Sequence, residues 1–210
     1  KYNYPHNIHV TTGKNNKARI IKAIECLSGS IRLCMSVQSM DNEVLKNIRR
    51  SNISIDEMVG LAPEIKNSGL DTTSEVILGL PGETFEAHLR SLRALLGAKM
   101  DHVVVYSCML LKGSQMDLPE QRKKWDLKTK FRILVKDFAK LSNGKKVIEI
   151  EEIVVGSNTM TFKDYLNLRS IDFAIYAANT IPIFKPLLKF MREHEIDLLE
   201  LFQRIVKQAV

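Results

Sequence analysis

Short apolar runs alternate with amphipathic helical stretches along the first 145 residues of the chain. Four of these runs are strand candidates: Ile8 to Thr12, Ile31 to Gln38, Thr73 to Leu78 and His102 to Ser107. Strand–helix–strand units of a parallel sheet produce this alternation of apolar runs and amphipathic helices. The sequence therefore predicts an α/β fold, with the last of these strands fully buried because its composition is almost entirely apolar.

Capping residues place the helices between these strands. Asp41 is a good N-cap for a short helix that buries Val44, Leu45 and Ile48. Ser54 and Glu57 form a capping box. Thr84 follows the turn Gly79-Leu80-Pro81-Gly82 and caps a helix with these inward residues: Phe85, Leu89, Leu92 and Leu96. Asp126 is expected to cap another helix, with Phe131, Leu134, Phe138 and Leu141 on one face.

The pattern changes after Asn143-Gly144. One strand-like run, Lys145 to Val155, is followed by three helical segments near residues 162–178, 183–194 and 198–209, with caps at Thr161 and Asp197. We therefore predict an α/β domain over residues 1–145 and a mainly helical C-terminal extension over residues 146–210.

Composition limits the classes of protein to consider. The 210 residues carry a formal net charge of +7, which permits a nucleic acid or another anionic partner, but the basic residues are spread along the whole chain. No apolar run approaches the roughly 18 to 20 residues that span a bilayer, so we expect a cytoplasmic protein. Three widely spaced cysteines, Cys26, Cys34 and Cys108, argue against a disulfide framework.

Ligands of parallel α/β folds bind at the carboxyl ends of the strands. The informative segments are therefore Thr11 to Lys14, Ser36 to Ser39, Glu75 to Glu83 and Tyr106 to Met109. Gln38 ends its strand, and Arg50 lies 12 residues later, one short helix away. Both side chains can therefore reach the same carboxyl-terminal edge of the sheet. A guanidinium is well suited to binding a carboxylate.

Three segments, in this order, resemble the radical S-adenosylmethionine (SAM) enzymes. The stretch from Ser36 to Ser54 is similar to their fourth-strand segment, which ends in Gln-Ser and is followed by a helix ending in Arg. Ser74 to Thr84 resembles the fifth strand with its Gly-Leu-Pro-Gly-Glu-Thr turn, and Val105 to Met116 resembles the sixth strand and its loop. The similarity covers roughly residues 8 to 118 and is greatest to the cobalamin-associated and methylthiotransferase-like branch.

The resemblance implies a partial, half TIM-type barrel of strand–helix units with a helical C-terminal extension. It also implies that Gln38 and Arg50 contact the ribose or the methionyl carboxylate of SAM, and that Glu75 accepts hydrogen bonds from the ribose hydroxyls. The backbone near Leu78 and from Tyr106 to Ser107 is expected to hold the adenine, with Gly79 allowing the tight turn beside it. The expected cofactor-binding residues are Ser36, Gln38, Arg50, Glu75, Leu78, Gly79, Tyr106 and Ser107.

The chain departs from the family in its cysteines. Radical SAM chemistry needs a 4Fe-4S cluster held by three cysteines, usually spaced Cys-x-x-x-Cys-x-x-Cys, and this motif is absent. We therefore expect a fragment, inactive by itself, whose cluster ligands lie upstream. The parent would cleave SAM reductively to a 5′-deoxyadenosyl radical and act on an unknown substrate. An upstream cobalamin domain would make methyl transfer or a rearrangement the expected outcome.

Other readings remain open. The alternative function is a non-catalytic α/β module that binds RNA or an acidic partner through its basic surface. Arg50 is also compatible with a solvated helix end, Gln38 with a turn cap and Glu75 with an exposed strand position. His6 and His9 lack a nearby third metal ligand, and we expect no metal site. Half a barrel leaves an open sheet edge, which favours homo-oligomers.

Overall fold

The computed structural model describes residues 33–51 and 72–209, together with Ile8, Arg19, Lys22 and Cys26. Three parallel strands form one sheet in the order β1, β2, β3, and they span Leu33–Gln38, Thr72–Leu78 and His102–Ser107. This sheet and its helices confirm the α/β class. Three features of the sequence analysis lie outside the described residues: the predicted capping box at 54 and 57, the two histidines at 6 and 9, and all but the first residue of the predicted strand at 8–12.

Two helices follow β1 and β2 as predicted. Helix α1 (Asn42–Asn47) begins after Asp41, whose carboxylate accepts hydrogen bonds from two backbone amides of the first turn. Helix α2 (Phe85–Gly97) begins after Thr84, whose hydroxyl accepts from the Ala87 amide at 3.1 Å. Both caps satisfy amides that have no partner inside the helix. Helix α2 buries Leu92, Leu95 and Leu96, among others, against the sheet.

The prediction that β3 is fully buried is wrong. Val103 and Ser107 are buried, whereas Tyr106 on the opposite face is 49% exposed. The reason is that α2 and a later helix cover only one face of the sheet among the described residues. The other face, which carries Glu75 and Tyr106, stays partly open.

The segment after Asp126 is a strand, and the helix predicted there is wrong. A 3₁₀ turn (Gln115–Asp117) and helix α3 (Pro119–Lys124) lead into β4 (Lys128–Lys140), which pairs antiparallel with β5 (Lys146–Gly156). Asp126 has a left-handed φ of 48° rather than an N-cap conformation. Pairing with β5 overrides the helical spacing of the apolar residues. The hairpin spans residue 145, and the division into two domains stays a prediction.

Three helices complete the chain where the sequence predicts them. They are α4 (Phe162–Thr180), α5 (Lys185–Glu193) and α6 (Leu198–Ala209), with a 3₁₀ turn at Pro182–Phe184 before α5. Thr161 and Asp164 form a capping box at the start of α4. Asp197 accepts hydrogen bonds from the Leu199 and Glu200 amides at the start of α6. None of the helices described is long and apolar enough to span a membrane.

Helix α4 joins two hydrophobic clusters. Ile171 and Ile175 belong to the larger cluster, which combines residues from β1, β2 and α2 with residues from α5 and α6. Tyr165 and Leu168, nearer its start, pack with Leu78 of β2 and with β5. The C-terminal helices therefore share a core with the parallel sheet. This packing brings α4 close to the carboxyl ends of the strands.

Candidate functional site

The carboxyl ends of the three parallel strands lie side by side. Gln38 at the end of β1 is paired with Val76, and Leu78 at the end of β2 is paired with Ser107. Because parallel strands all end at the same edge of the sheet, the turns that follow them surround one open region, which we call the mouth. Some of the predicted site residues lie at this mouth. The others belong to the segments whose side chains pack into the core behind it, which we call the wall.

Glu75 lies at the centre of the open face. The hydroxyl of Ser36, its cross-strand partner on β1, donates to one carboxylate oxygen. The phenol of Tyr106 donates to the other at 3.5 Å. Tyr106 pairs with Ile77, two residues beyond Glu75, so all three side chains share one face of the sheet. The structure thus brings together three of the predicted residues, one from each strand.

Gln38 and Arg50 also meet, as their spacing predicts. A guanidinium nitrogen of Arg50 donates to the side-chain oxygen of Gln38 at 3.4 Å. The register of β1 shifts between Ser36 and Gln38, and Gln38 has a left-handed φ of 59°. A non-glycine residue in this region costs about 1 to 3 kcal/mol, and such strain is concentrated at functional sites. The bulge aims the Gln38 side chain at the end of α1.

Leu78, Gly79 and Ser107 form the wall. The Leu78 carbonyl accepts from the Cys108 amide at 2.8 Å, and its side chain is fully buried. The Ser107 hydroxyl is bonded to the Tyr165 hydroxyl of α4 at 2.8 Å. These two side chains face the core, so only the backbone of this segment lies at the mouth. Their expected role toward adenine stays a prediction.

The turn after β2 requires glycine at two positions. Gly79 has φ +94°, and a Cβ there would lie 3.2 Å from the Val154 carbonyl oxygen of β5. Gly82 has φ +80°, and a Cβ there would lie 2.4 Å from the side-chain amide of Asn47. That amide donates to the Pro81 carbonyl at 3.1 Å. The turn is therefore packed between the end of α1 and the hairpin.

A buried charged triad behind the turn was missed by sequence reasoning. His88 Nδ1 lies 2.9 Å from Glu83 Oε1, and His88 Nε2 lies 3.3 Å from Asp172 Oδ1. All three residues are buried. Burial lowers the pKa of His88, but the two carboxylates more than offset this effect and raise it to about 10. Glu83 lies within the recognised turn motif and offered a signal, whereas nothing in the sequence linked Asp172 to it.

A second missed cluster anchors the loop after β3. Arg122 binds both carboxylate oxygens of Glu152 at 2.7 Å and also contacts Asp117 at 2.6 Å. Thr129 donates to Glu152 at 2.7 Å. The hydrogen bonds from Arg122 lower the pKa of Glu152 to about 2, although burial opposes them. This clamp ties the loop to the base of the hairpin.

The residues described here hold no group of three His, Cys, Asp or Glu side chains arranged for a metal ion. Cys26 is exposed, and Cys108 is buried beside the turn. Burial raises the pKa of the Cys108 thiol to about 12, so it is protonated and unreactive at neutral pH. These two cysteines therefore do not fit a 4Fe-4S cluster.

Sequence comparison places this chain among larger proteins. It is 29% identical over 129 residues to the cobalamin-dependent radical SAM methyltransferase TokK of Streptomyces tokunonensis, covering 60% of this chain and 19% of that protein. It is 26% identical over 91 residues to a tRNA uridine(34) acetyltransferase of Methanocaldococcus infernus, covering 42% of this chain and 17% of that protein. The chain thus spans about a fifth of the length of these curated relatives. No model of a protein family matches it.

A search of solved structures found the archaeal Methanocaldococcus infernus Elp3 with an N-terminal deletion. The match has 25% sequence identity and a TM-score of 0.42, and it covers 52% of this chain and 25% of that one. A further curated relative is the heme chaperone HemW of Lactococcus lactis, 30% identical over 80 residues, which are 38% of this chain and 21% of that protein. These relatives include radical SAM enzymes, which confirms the resemblance to the radical SAM superfamily that the three sequence segments indicate.

Proposed function

We propose that this chain is the SAM-binding, C-terminal half of a radical SAM barrel within a longer enzyme. The observation that carries the proposal is the convergence of Arg50, Gln38, Glu75 and Tyr106 on the carboxyl ends of adjacent parallel strands. Basic, amide, acidic and phenolic groups at one mouth match the mixed chemistry of an amino acid joined to a nucleoside.

The donor and acceptor set fits SAM. A guanidinium offers five N–H donors, and the contact of Arg50 with Gln38 uses one of them. The remaining donors suit the methionyl carboxylate. The carboxylate of Glu75 already accepts the hydroxyls of Ser36 and Tyr106, so ribose hydroxyls are donors of the same kind. The backbone at Leu78 and Gly79 completes the mouth on the adenine side.

The role of this chain is to bind and orient the cofactor. SAM bound beside a reduced 4Fe-4S cluster supplies radical chemistry for hydrogen abstraction. Because Cys26 and Cys108 do not fit a cluster, its ligands are expected upstream, and the chain alone should be inactive. The similarity to a cobalamin-dependent methyltransferase supports methyl transfer as the reaction, with cobalamin held outside this chain.

The test uses the gene product with its coding sequence upstream of Lys1, reconstituted with iron and sulfide without oxygen. We expect an EPR signal of the reduced cluster that changes when SAM is added. Arg50→Gln should weaken SAM affinity about tenfold to a hundredfold, since hydrogen bonds to charged groups contribute about 1.5 to 3 kcal/mol. Arg204→Gln is the matched control, because Arg204 is an exposed arginine paired with Glu200 on α6.

Equal SAM affinity in the two variants would remove Arg50 from the site. Absence of any cluster and of SAM binding would overturn the proposal as a whole. RNA affinity that falls steeply with added salt would then favour the alternative, a binding module with a basic surface.

A further inference from the structure

A continuous chain of hydrogen bonds runs from α4 to the turn after β2. Asp172 on α4 contacts His88 on α2, and His88 contacts Glu83. The second carboxylate oxygen of Glu83 accepts from the backbone amides of Gly79 at 2.7 Å and Leu80 at 3.3 Å. Thus three buried side chains connect the C-terminal helices to the two amides that open the turn.

The protonation state of His88 follows from this geometry. Each ring nitrogen faces a carboxylate oxygen, and a neutral imidazole donates from only one nitrogen. The doubly protonated ring satisfies both carboxylates. Arg169 Nη1 lies 3.7 Å from the second Asp172 oxygen, so two cations face two anions, with the neutral Cys108 thiol beside Glu83. The raised pKa of His88 agrees with this arrangement.

The turn needs such support because its conformation is restricted. Gly79 adopts a positive φ against the backbone of β5, and Glu83 must keep its carboxylate aimed back at the amides four and three residues earlier. Because Glu83 is buried, its other carboxylate oxygen also needs a hydrogen-bond partner, since an unpartnered polar group is costly to bury. His88 supplies that partner, and Asp172 holds His88 in the required orientation.

We infer that Asp172 is a positioning residue for the cofactor mouth. Acting through His88 and Glu83, it fixes the Gly79 to Gly82 turn, so helix α4 of the C-terminal region is part of the site's support. The identity of the ligand as a cofactor rests on the proposed function, whereas the positioning of the turn does not. This gives the C-terminal helices a role that their distance in sequence from the motif concealed.

The experiment compares Asp172→Asn with Asp197→Asn in the full 210-residue chain. Asp197 is a suitable control because it also joins a C-terminal helix to α2, through Arg93 at 3.0 Å, without reaching the turn. Hydrogen exchange measured by NMR should be at least tenfold faster at the Gly79 and Leu80 amides in Asp172→Asn. The control should leave both rates unchanged. Equal rates in the two variants would overturn the inference.

Two further measurements distinguish a positioning role of Asp172 from a general folding defect of the variant. In the unmodified chain at pH 7, NMR should detect protons on both ring nitrogens of His88, and a neutral ring would overturn the inference without any variant. The double variant His88→Gln with Asp172→Asn should restore slow exchange, because two carboxamides can relay the hydrogen bond to Glu83. A role in bulk packing alone predicts no such rescue.

SAM affinity is measured separately on the reconstituted gene product. If exchange accelerates and SAM binds more weakly in Asp172→Asn, both the inference and the proposed function stand. If exchange accelerates but the unmodified protein binds no SAM, the positioning of the turn stands and the proposed function fails.

Discussion

Buried carboxylates and their cationic partners connect the turns of the mouth to distant parts of the sequence. The Glu83, His88 and Asp172 triad reaches α4, and the Arg122 to Glu152 pair reaches the hairpin. In both, each carboxylate accepts a hydrogen bond from a cationic side chain, which is the condition under which buried charges are tolerated. Each cluster stabilises a loop that the parallel sheet alone would leave unsupported.

Glu152→Gln tests the second cluster through its pH dependence. The folded-state pKa of Glu152 is lowered to about 2 from a model-compound value of 4.5. The stability that its charge contributes is therefore fully present above about pH 4.5 and is lost as the pH falls toward 2. We expect the variant to unfold about 2 kcal/mol more easily at pH 7, with the difference shrinking over that acidic range.

Urea unfolding at several pH values checks this expectation. Glu200→Gln serves as the control, because Glu200 forms an exposed ion pair with Arg204 within α6. Such pairs contribute about 0.3 to 0.5 kcal/mol. The same loss of stability in both variants at neutral pH would contradict the assignment of Glu152 as a buried anchor.

At the scale of elements, sequence signals succeeded where they were local. Asp41, Thr84 and Thr161 mark helix starts because an N-cap acts on amides two or three residues away. They failed at β4, where apolar residues at helical spacing suggested a helix and pairing with β5 decided otherwise. Asn143-Gly144, a typical hairpin turn, was the competing signal.

The same distinction applies to the site. Gln38 and Arg50 were predictable because one short helix separates them, and Glu75 because it follows from a motif. The contact between His88 and Asp172 spans 84 residues, and neither residue lies in a recognised pattern. Apart from Glu83 in the turn motif, this triad is visible in the sequence as polar residues within otherwise apolar helix faces.

Two substitutions in the hairpin test its observed structure. Phe138 is 77% exposed on β4, whereas Val154 on β5 is fully buried. Phe138→Ser should change the free energy of unfolding by at most about 0.5 kcal/mol, as surface substitutions do. Val154→Ala should cost about 1 to 3 kcal/mol, since it removes buried methyl groups. Denaturant midpoints give both values. If Phe138→Ser lowered the free energy of unfolding by 3 kcal/mol or more, the result would instead support the buried helix face that the apolar spacing suggested.

At the scale of the whole molecule, the sheet and the C-terminal helices share one core. The larger cluster joins Val37 and Val76 of the sheet to Ile175 of α4 and Leu199 of α6. A core built from residues on both sides of residue 145 favours cooperative unfolding over separate domains. The boundary near residue 145, which the sequence suggests from its change of pattern, stays a prediction that unfolding experiments can test.

We therefore predict that the parallel sheet and the C-terminal helices unfold together. The chain has a single tryptophan, Trp125, whose fluorescence reports on the region between α3 and β4, while circular dichroism is dominated by the helices. The two signals should give the same urea midpoint. Ile175→Ala, at a fully buried position in the shared core, should lower both midpoints equally, with a loss of about 2 to 5 kcal/mol. Two separate midpoints, with only the circular dichroism signal shifted by Ile175→Ala, would instead show that the helices fold independently and would support the predicted boundary at residue 145.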